Sequence, residues 1–437
     1  MSWINFFENK TEQHHSFGRG TNADISPDEE LLFNESSIAF EEKRILDAYE
    51  NFLNSLQNFT NSLINNNIII FRDENKLNFE LFQGTAKIIG TITEENFYAE
   101  VILVKKEDAS VALKRYILER NYQLTYAYYF TDAEYIKLKV FHNNVTMSPQ
   151  KVFFPIRELA LNADFDKEHI ASEFKNLVLR DIDHIKQIDP KELKIKFKFL
   201  KSWIEDLEAK VTTLPSNDST GMQAFLYLNL FFKIDYLLVP KYTIYQKMSK
   251  KIQEYFSDEN STIEAKNEEL QRYIIKLKEI SFEEFSSNFY EAKYTFNPTE
   301  KTSFEDVVNF INESLIKIRW YKNNRYNQII PTIYTYIAFY SLYNYGLNQV
   351  QRKLLHLLIR IQNTKFFKEF DYKSYYNEED ESFSKRAIIS EIENIIEPHQ
   401  GRFKLLKPFG GELNFSSMNE FSNSFYTQLK HLDFEEI

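Results

Sequence analysis

Two rhythms of apolar residues divide the chain. Over residues 68–141 apolar side chains alternate in twos, and after Asp166 they recur every three or four residues to the end. The first rhythm marks strands with one buried face, and the second marks amphipathic helices. Ahead of the strands, Ile38, Ile45, Leu46, Tyr49, Phe52, Leu53, Leu56, Phe59 and Leu63 keep the helical period. A helix is therefore predicted from Ser36 or Ser37 to the stop at Asn65-Asn66-Asn67. Strands are predicted at 68–71 and through Leu77, Phe79 and Leu81. Two more run through Ala86, Ile88 and Ile92, and through Phe97, Ala99, Val101 and Leu103. A helix over 111–118, capped by Asp108 or Ser110, interrupts them. Strands resume at 122–130 and 135–141. In the last one Ile136, Leu138 and Val140 face one side, while Lys137 and Lys139 face the other beside Tyr135 and Phe141. Such alternation predicts an antiparallel sheet with one solvated face.

The later rhythm predicts a helix over 167–188 and another beginning at Asp189-Pro190, with proline at the first helical position. Its stripe holds Leu193, Phe197, Leu200, Trp203, Ile204, Leu207 and Val211. Residues 222–239 are apolar nearly all round and are placed at the centre of a bundle, ending at Pro240. Residues 215–221 read as a linker. Residues 329–343 form the most apolar window, shorter than the roughly 20 residues that span a membrane. The reading is α+β. A flexible tail covers 1–34, a helix plus antiparallel sheet covers 35–165, and a larger all-α helical bundle covers 166–437. In the tail, Ser26-Pro27-Asp28 is taken as a break.

The element order over about 38–170 is a leading helix and hairpin-built strands ending in Phe97-Tyr98-Ala99-Glu100-Val101. A helix and two more strands follow. This order resembles the YbjN-like domain, which shares its fold with the chaperones of type III secretion. The opening, Trp3 and then Ser16-Phe17-Gly18-Arg19, is similar to Bacteroidetes proteins that carry such a domain. The resemblance implies protein–protein interaction, through partner segments or pairing into dimers, and it supplies no catalytic residue.

Composition narrows the chemistry. There is no cysteine, so neither a disulfide nor a thiolate site is available. Only 9 Gly and 10 Pro occur in 437 residues, less than half of average usage, which favours long helices and disfavours Gly-rich phosphate loops. The formal charge of −11 counts against a surface that binds nucleic acid everywhere and leaves room for a local basic patch. The first ten residues lack a basic start followed by an apolar run, so no secretory signal is read and a cytoplasmic protein without a membrane span is expected.

No catalytic, cofactor-binding or metal-binding residue is assigned. Asp181 and His184 have helical ligand spacing beside Asp183, but a solvated helix face accounts for them. Arg180–His184 and Arg352–His356 fall one residue short of the spacing seen in HEPN-type ribonucleases. Trp3, Ile4, Phe6 and Phe7 could dock into a groove as a short amphipathic segment, or pack on their own domain. Lys317, Arg319, Trp320, Tyr321, Lys322, Arg325 and Tyr326 mix cations with aromatics, as single-strand binders do. The bland account is the polar end of a helix with Trp320 tucked inward. Lys191, Lys194, Lys196, Lys198 and Lys201 read as a solvated face. The expected function is a non-enzymatic, chaperone-like binding or scaffold protein with a protein partner or self-association. The alternatives are a nucleic-acid-associated regulator using the basic strip, or an enzyme whose site gathers distant residues.

Overall fold

A computed structural model describes residues 17–18, 21, 23–58, 65–174, 177–215 and 219–436. The backbone divides into two compact units. One holds residues 18–302 with 343–349; the other holds Phe17, 303–342 and 350–436.

Helix α1 (Pro27–Glu41) begins where a break was expected. Proline at the first position costs no hydrogen bond. The Ser26 hydroxyl accepts the Glu29 N–H at 3.3 Å, and the Ser26 N–H donates to the Glu29 carboxylate at 2.7 Å. That reciprocal cap starts the helix ten residues before Ser36. Lys43 then takes a left-handed φ of 60°, so the single helix expected is two, α1 and α2 (Ile45–Ser55). Phe59 and Leu63 lie outside the described residues.

Six strands follow: β1 (Ile68–Arg72), β2 (Lys76–Gln83), β3 (Ala86–Thr93), β4 (Asn96–Lys105), β5 (Tyr128–Thr131) and β6 (Tyr135–Asn143), with α3 (Val111–Asn121) after β4. They form one antiparallel sheet in the order β1-β2-β3-β4-β6-β5. Of the two expected caps for helix α3, Asp108 and Ser110, it is Ser110 that caps it. Strand β5 is shorter than predicted. The N–H groups of Thr125, Tyr126 and Ala127 all donate to the Glu158 carboxylate, at 2.7, 2.6 and 2.8 Å. Backbone committed to that carboxylate is not available to a strand ladder.

The inner sheet face is buried under α2 and α4 (Pro149–Glu173). Leu77, Phe79, Leu81, Ile88, Ile92, Phe97, Val101 and Leu138 pack there with Val152, Ile156, Leu159 and Ala163 of α4. Phe79 lies opposite Gly90, where a Cβ would stand 2.1 Å from the Phe79 ring. Pro155, inside α4, makes this helix hard to read in the sequence.

The predicted helix over 167–188 does not form. α4 ends at Glu173, and the chain is irregular from 177 to 189, with Asp181 at φ 49°. The first unit continues with α5 (Pro190–Thr212), α6 (Thr220–Lys233), α7 (Tyr242–Ser257), α8 (Ile263–Glu279) and the short α9 (Phe282–Ser286). Trp203 is buried, as its stripe required. Helix α6 runs into a π turn over Ile234–Leu238, and Val239 closes it with a left-handed φ of 55°. The lysine run of α5 is not uniformly solvated. Lys196 is buried, 2.7 Å from Glu192, and Lys201 donates to the carbonyl of Ile280 at 2.9 Å, closing the end of α8.

The second unit contains α10 (Phe304–Asn323), most of α11 (Ile330–Asn344) and of α12 (Gln349–Gln362), α13 (Thr364–Glu369), α14 (Lys385–Ile396) and α15 (Met418–Leu429). A two-stranded hairpin, β7 (Tyr376–Asn377) with β8 (Ser382–Phe383), occupies the acidic loop region. The chain is thus α+β, a helix pair and an antiparallel sheet followed by a larger helical region. Among the described residues no helix is long and apolar enough to cross a membrane.

Candidate functional site

Helix α4 carries Asp164, Asp166, Lys167 and Glu168 within little more than one turn, and they point into two polar clusters. On one side, Asp166 accepts from the Tyr116 hydroxyl at 2.5 Å, from Arg120 Nε at 3.0 Å and from the Tyr129 hydroxyl. Burial raises the Asp166 carboxyl, and Arg120 beside it opposes that shift. This cluster ties α3 and β5 to α4.

The second cluster surrounds the turn between β2 and β3. Gly84 there has φ 55°, and a Cβ would stand 2.2 Å from both Asp164 carboxylate oxygens. Only glycine admits the carboxylate this close. The Thr85 N–H and hydroxyl donate to Asp164 Oδ1 at 2.7 and 2.9 Å. Lys167 is fully buried and donates to the carbonyls of Thr85, Arg180 and Asp181 at 3.2, 2.6 and 3.3 Å. His184 Nε2 lies 3.0 Å from the Gly84 carbonyl. Glu168, one turn along α4 from Asp164, accepts from the Tyr290 hydroxyl at 2.7 Å. Lys241 sits over the Tyr290 and Tyr294 rings, 5.4 and 4.7 Å from their centroids.

These neighbours shift protonation in a consistent way. Burial, with Glu168 one turn away, pushes Asp164 up to about 7, although part of the residue still meets solvent. Its two oxygens are closed in against Gly84, which accounts for the desolvation. Burial brings Lys167 down to about 8 and lowers His184. The backbone around the cluster is strained, with Asp181, Val239 and Tyr242 at φ 49°, 55° and 45°. Residues other than glycine adopt such backbone angles only where the surroundings hold them. Groups that titrate near neutrality beside strained backbone resemble acid–base machinery. Here, however, Asp164, Lys167, Glu168 and His184 each have a protein partner at hydrogen-bond distance, and the arrangement locks the turn to α4. The expected solvated helix face at Asp181, Asp183 and His184 is therefore corrected: these residues lie off any helix, and His184 is half-buried against Phe82. The signal in the sequence was the i, i+4 pair Asp164 and Glu168 inside one amphipathic helix.

The other face of the sheet is open. The register lines up two rows across the strands. One runs Ile69, Glu80, Ile89, Glu100, Lys139 and Tyr128; the other runs Phe71, Asn78, Thr91, Tyr98 and Phe141. Phe71 and Phe141 are 57% and 51% exposed, and Ile69, Ile89 and Tyr128 are exposed as well. Lys139 lies over the rings of Phe130, Tyr128 and Tyr98, at 4.2, 5.1 and 5.7 Å. Charges on this face are paired across strands, Lys137 with Glu100 at 2.8 Å and Lys87 with Glu80 at 3.0 Å.

Trp3, Ile4, Phe6 and Phe7 lie outside the described residues. Lys317, Arg319, Lys322 and Arg325 stand exposed along the last turns and the end of α10. Trp320 is not tucked inward but is 53% exposed. Among the described residues no group of His, Asp and Glu is arranged to hold a metal ion. His356 is held down to about 3, chiefly by burial, and its ring packs on Phe17. The chain matches no family model and no curated protein.

Proposed function

We propose that the protein is a non-enzymatic binding protein and that the open sheet face holds a protein partner. The observation that carries this reading is the two rows, one across all six strands and one across five, with Phe71, Ile89, Phe141 and Tyr128 left in water. Ile69 and Phe71 on β1, and Phe141 and Tyr128 towards the opposite edge, are exposed apolar side chains set among polar ones, a mixed face of the kind that protein interfaces use. Lys137 and Lys87 on this face are paired with Glu100 and Glu80, and Lys139 is covered by aromatic rings, which suits an amphipathic polypeptide better than a phosphate backbone. The likeness of the element order to the YbjN-like and secretion-chaperone domain supports the same reading. An enzymatic reading draws less support, because the titratable groups on α4 are engaged by the protein itself.

Affinity capture from lysate of the source cells, with Phe71→Glu/Phe141→Glu as control, tests the proposal. Proteins recovered by the wild type and lost with the variant are expected, or a self-association that light scattering sees in the wild type alone. Identical recoveries, with both chains monomeric, would refute it.

A further inference from the structure

The end of α10 builds an aromatic shelf ringed by cations. Trp320 lies near-parallel to Tyr326, with ring centroids 6.1 Å apart and planes at 29°, and Tyr321 meets Trp320 edge-on at 5.1 Å. The helix closes in a defined way. The Tyr326 N–H donates to the Tyr321 carbonyl at 2.9 Å, and the Arg325 N–H donates to the Lys322 carbonyl at 3.1 Å. Between them Arg325 takes a left-handed φ of 64°. That closure folds Tyr326 back onto Trp320 and leaves Arg325 at the rim, in the position glycine ordinarily fills.

Charge is segregated along the chain in the same region. Residues 314–368 contain no Asp or Glu and nine Lys and Arg, in a protein whose net charge is −11. Lys317, Arg319, Lys322 and Arg325 are all exposed, and among the described residues Glu420 stands 3.5 Å from Lys322. Cations at a helix C-terminus also complement the helix dipole. The dipole does not account for Trp320, an indole left in water among them.

We propose that this shelf binds single-stranded nucleic acid, with a base stacked on Trp320 and Tyr326 and backbone phosphates held by Arg319, Lys322 and Arg325. Stacking is tolerant of base identity, and cations around an aromatic platform are the usual complement for a single strand. The site is independent of the sheet face, so either reading can fail without the other.

The test uses the full chain and a fluorescein-labelled 20-mer of deoxythymidylate, read by anisotropy at low salt. Binding is expected at roughly 10 µM. A log–log salt slope of about −2 is expected for three contacted phosphates. Trp320→Ala should weaken binding roughly tenfold. Arg325→Gly is the discriminating variant, since it removes a phosphate contact while relieving the left-handed strain. It should raise the urea midpoint and weaken binding about threefold or more. Lys322→Ala should weaken binding without raising the midpoint. Absence of binding at 100-fold higher protein, binding unchanged by Trp320→Ala and Arg325→Gly, or equal binding to a duplex of the same length would each overturn the proposal.

Discussion

Asp164 shows how one side chain can make the fold depend on pH. Its carboxyl is held near 7 against an ordinary value of 3.8, by burial first and Glu168 second. Lys241 and the Thr85 hydrogen bonds oppose the shift without cancelling it. A carboxyl raised in the folded state binds its proton more tightly there than in the unfolded chain. Its contribution is full below about 4 and is lost as the pH rises through about 7. Asp164→Asn keeps an oxygen for the Thr85 donors and removes the titration. The stability difference, wild type minus variant, should therefore fall between pH 4 and 7, by at most about 1.4 kcal/mol per pH unit, and then level off. Urea titrations at several pH values would show this, and a flat difference would place the titration elsewhere. Lys167 has the opposite sign. Lowered to about 8 by burial, it adds stability as the pH rises from there towards 10.5; the Asp164 charge is one of those that hold Lys167 up, so the comparison with Asp164→Asn is read below pH 8. Scarce glycine has its own mark at this scale. Lys43, Arg325 and Asp371 close helices in the left-handed conformation, where Gly is favoured.

Among the elements, α5 offers the plainest test of packing. Trp203 is buried against Phe199, with Lys233 4.3 Å above its ring. Trp203→Ala should cost roughly 3–5 kcal/mol, read as a lowered urea midpoint. A change near zero would mean that the indole is not part of the core. The elements legible in the sequence are those whose pattern is local. Strand alternation and turn residues place β1 to β4 and β6 within a residue or two, and Ser110 and Asp189-Pro190 mark real helix starts. What the pattern hides is decided by distant partners. β5 is trimmed by Glu158, 31 to 33 residues away, and the segment around Asp181 is kept from a helix while its carbonyl serves Lys167. The basic strip of α10 was legible as composition. Its exposed tryptophan was not, because a helical period does not say which apolar residue a bundle leaves out.

At the scale of the molecule, the first unit is sewn together by contacts from far along the chain. Gln83, at the end of β2, accepts from the N–H groups of Thr295 and Phe296 at 3.0 and 2.8 Å, and Asn67 donates to the Thr295 hydroxyl at 3.0 Å. Both amides are buried. A fragment ending at residue 174 strips the Gln83 amide of these partners, at about 1–3 kcal/mol for a group left unpaired, while Asn67 keeps Leu56 and Asn58 and loses only the Thr295 hydroxyl. Such a fragment, carrying the whole sheet, is expected to unfold without a cooperative transition when followed by circular dichroism in urea. A sharp transition at the midpoint of the intact protein would contradict this. The same stitching sets an order in time. At roughly 5–20 residues per second, a ribosome that has finished Gln83 needs about 10–40 s more to deliver Thr295 and Phe296. Through that interval the β2–β3 turn waits without its last partners, and the nascent sheet must be shielded or slow to close.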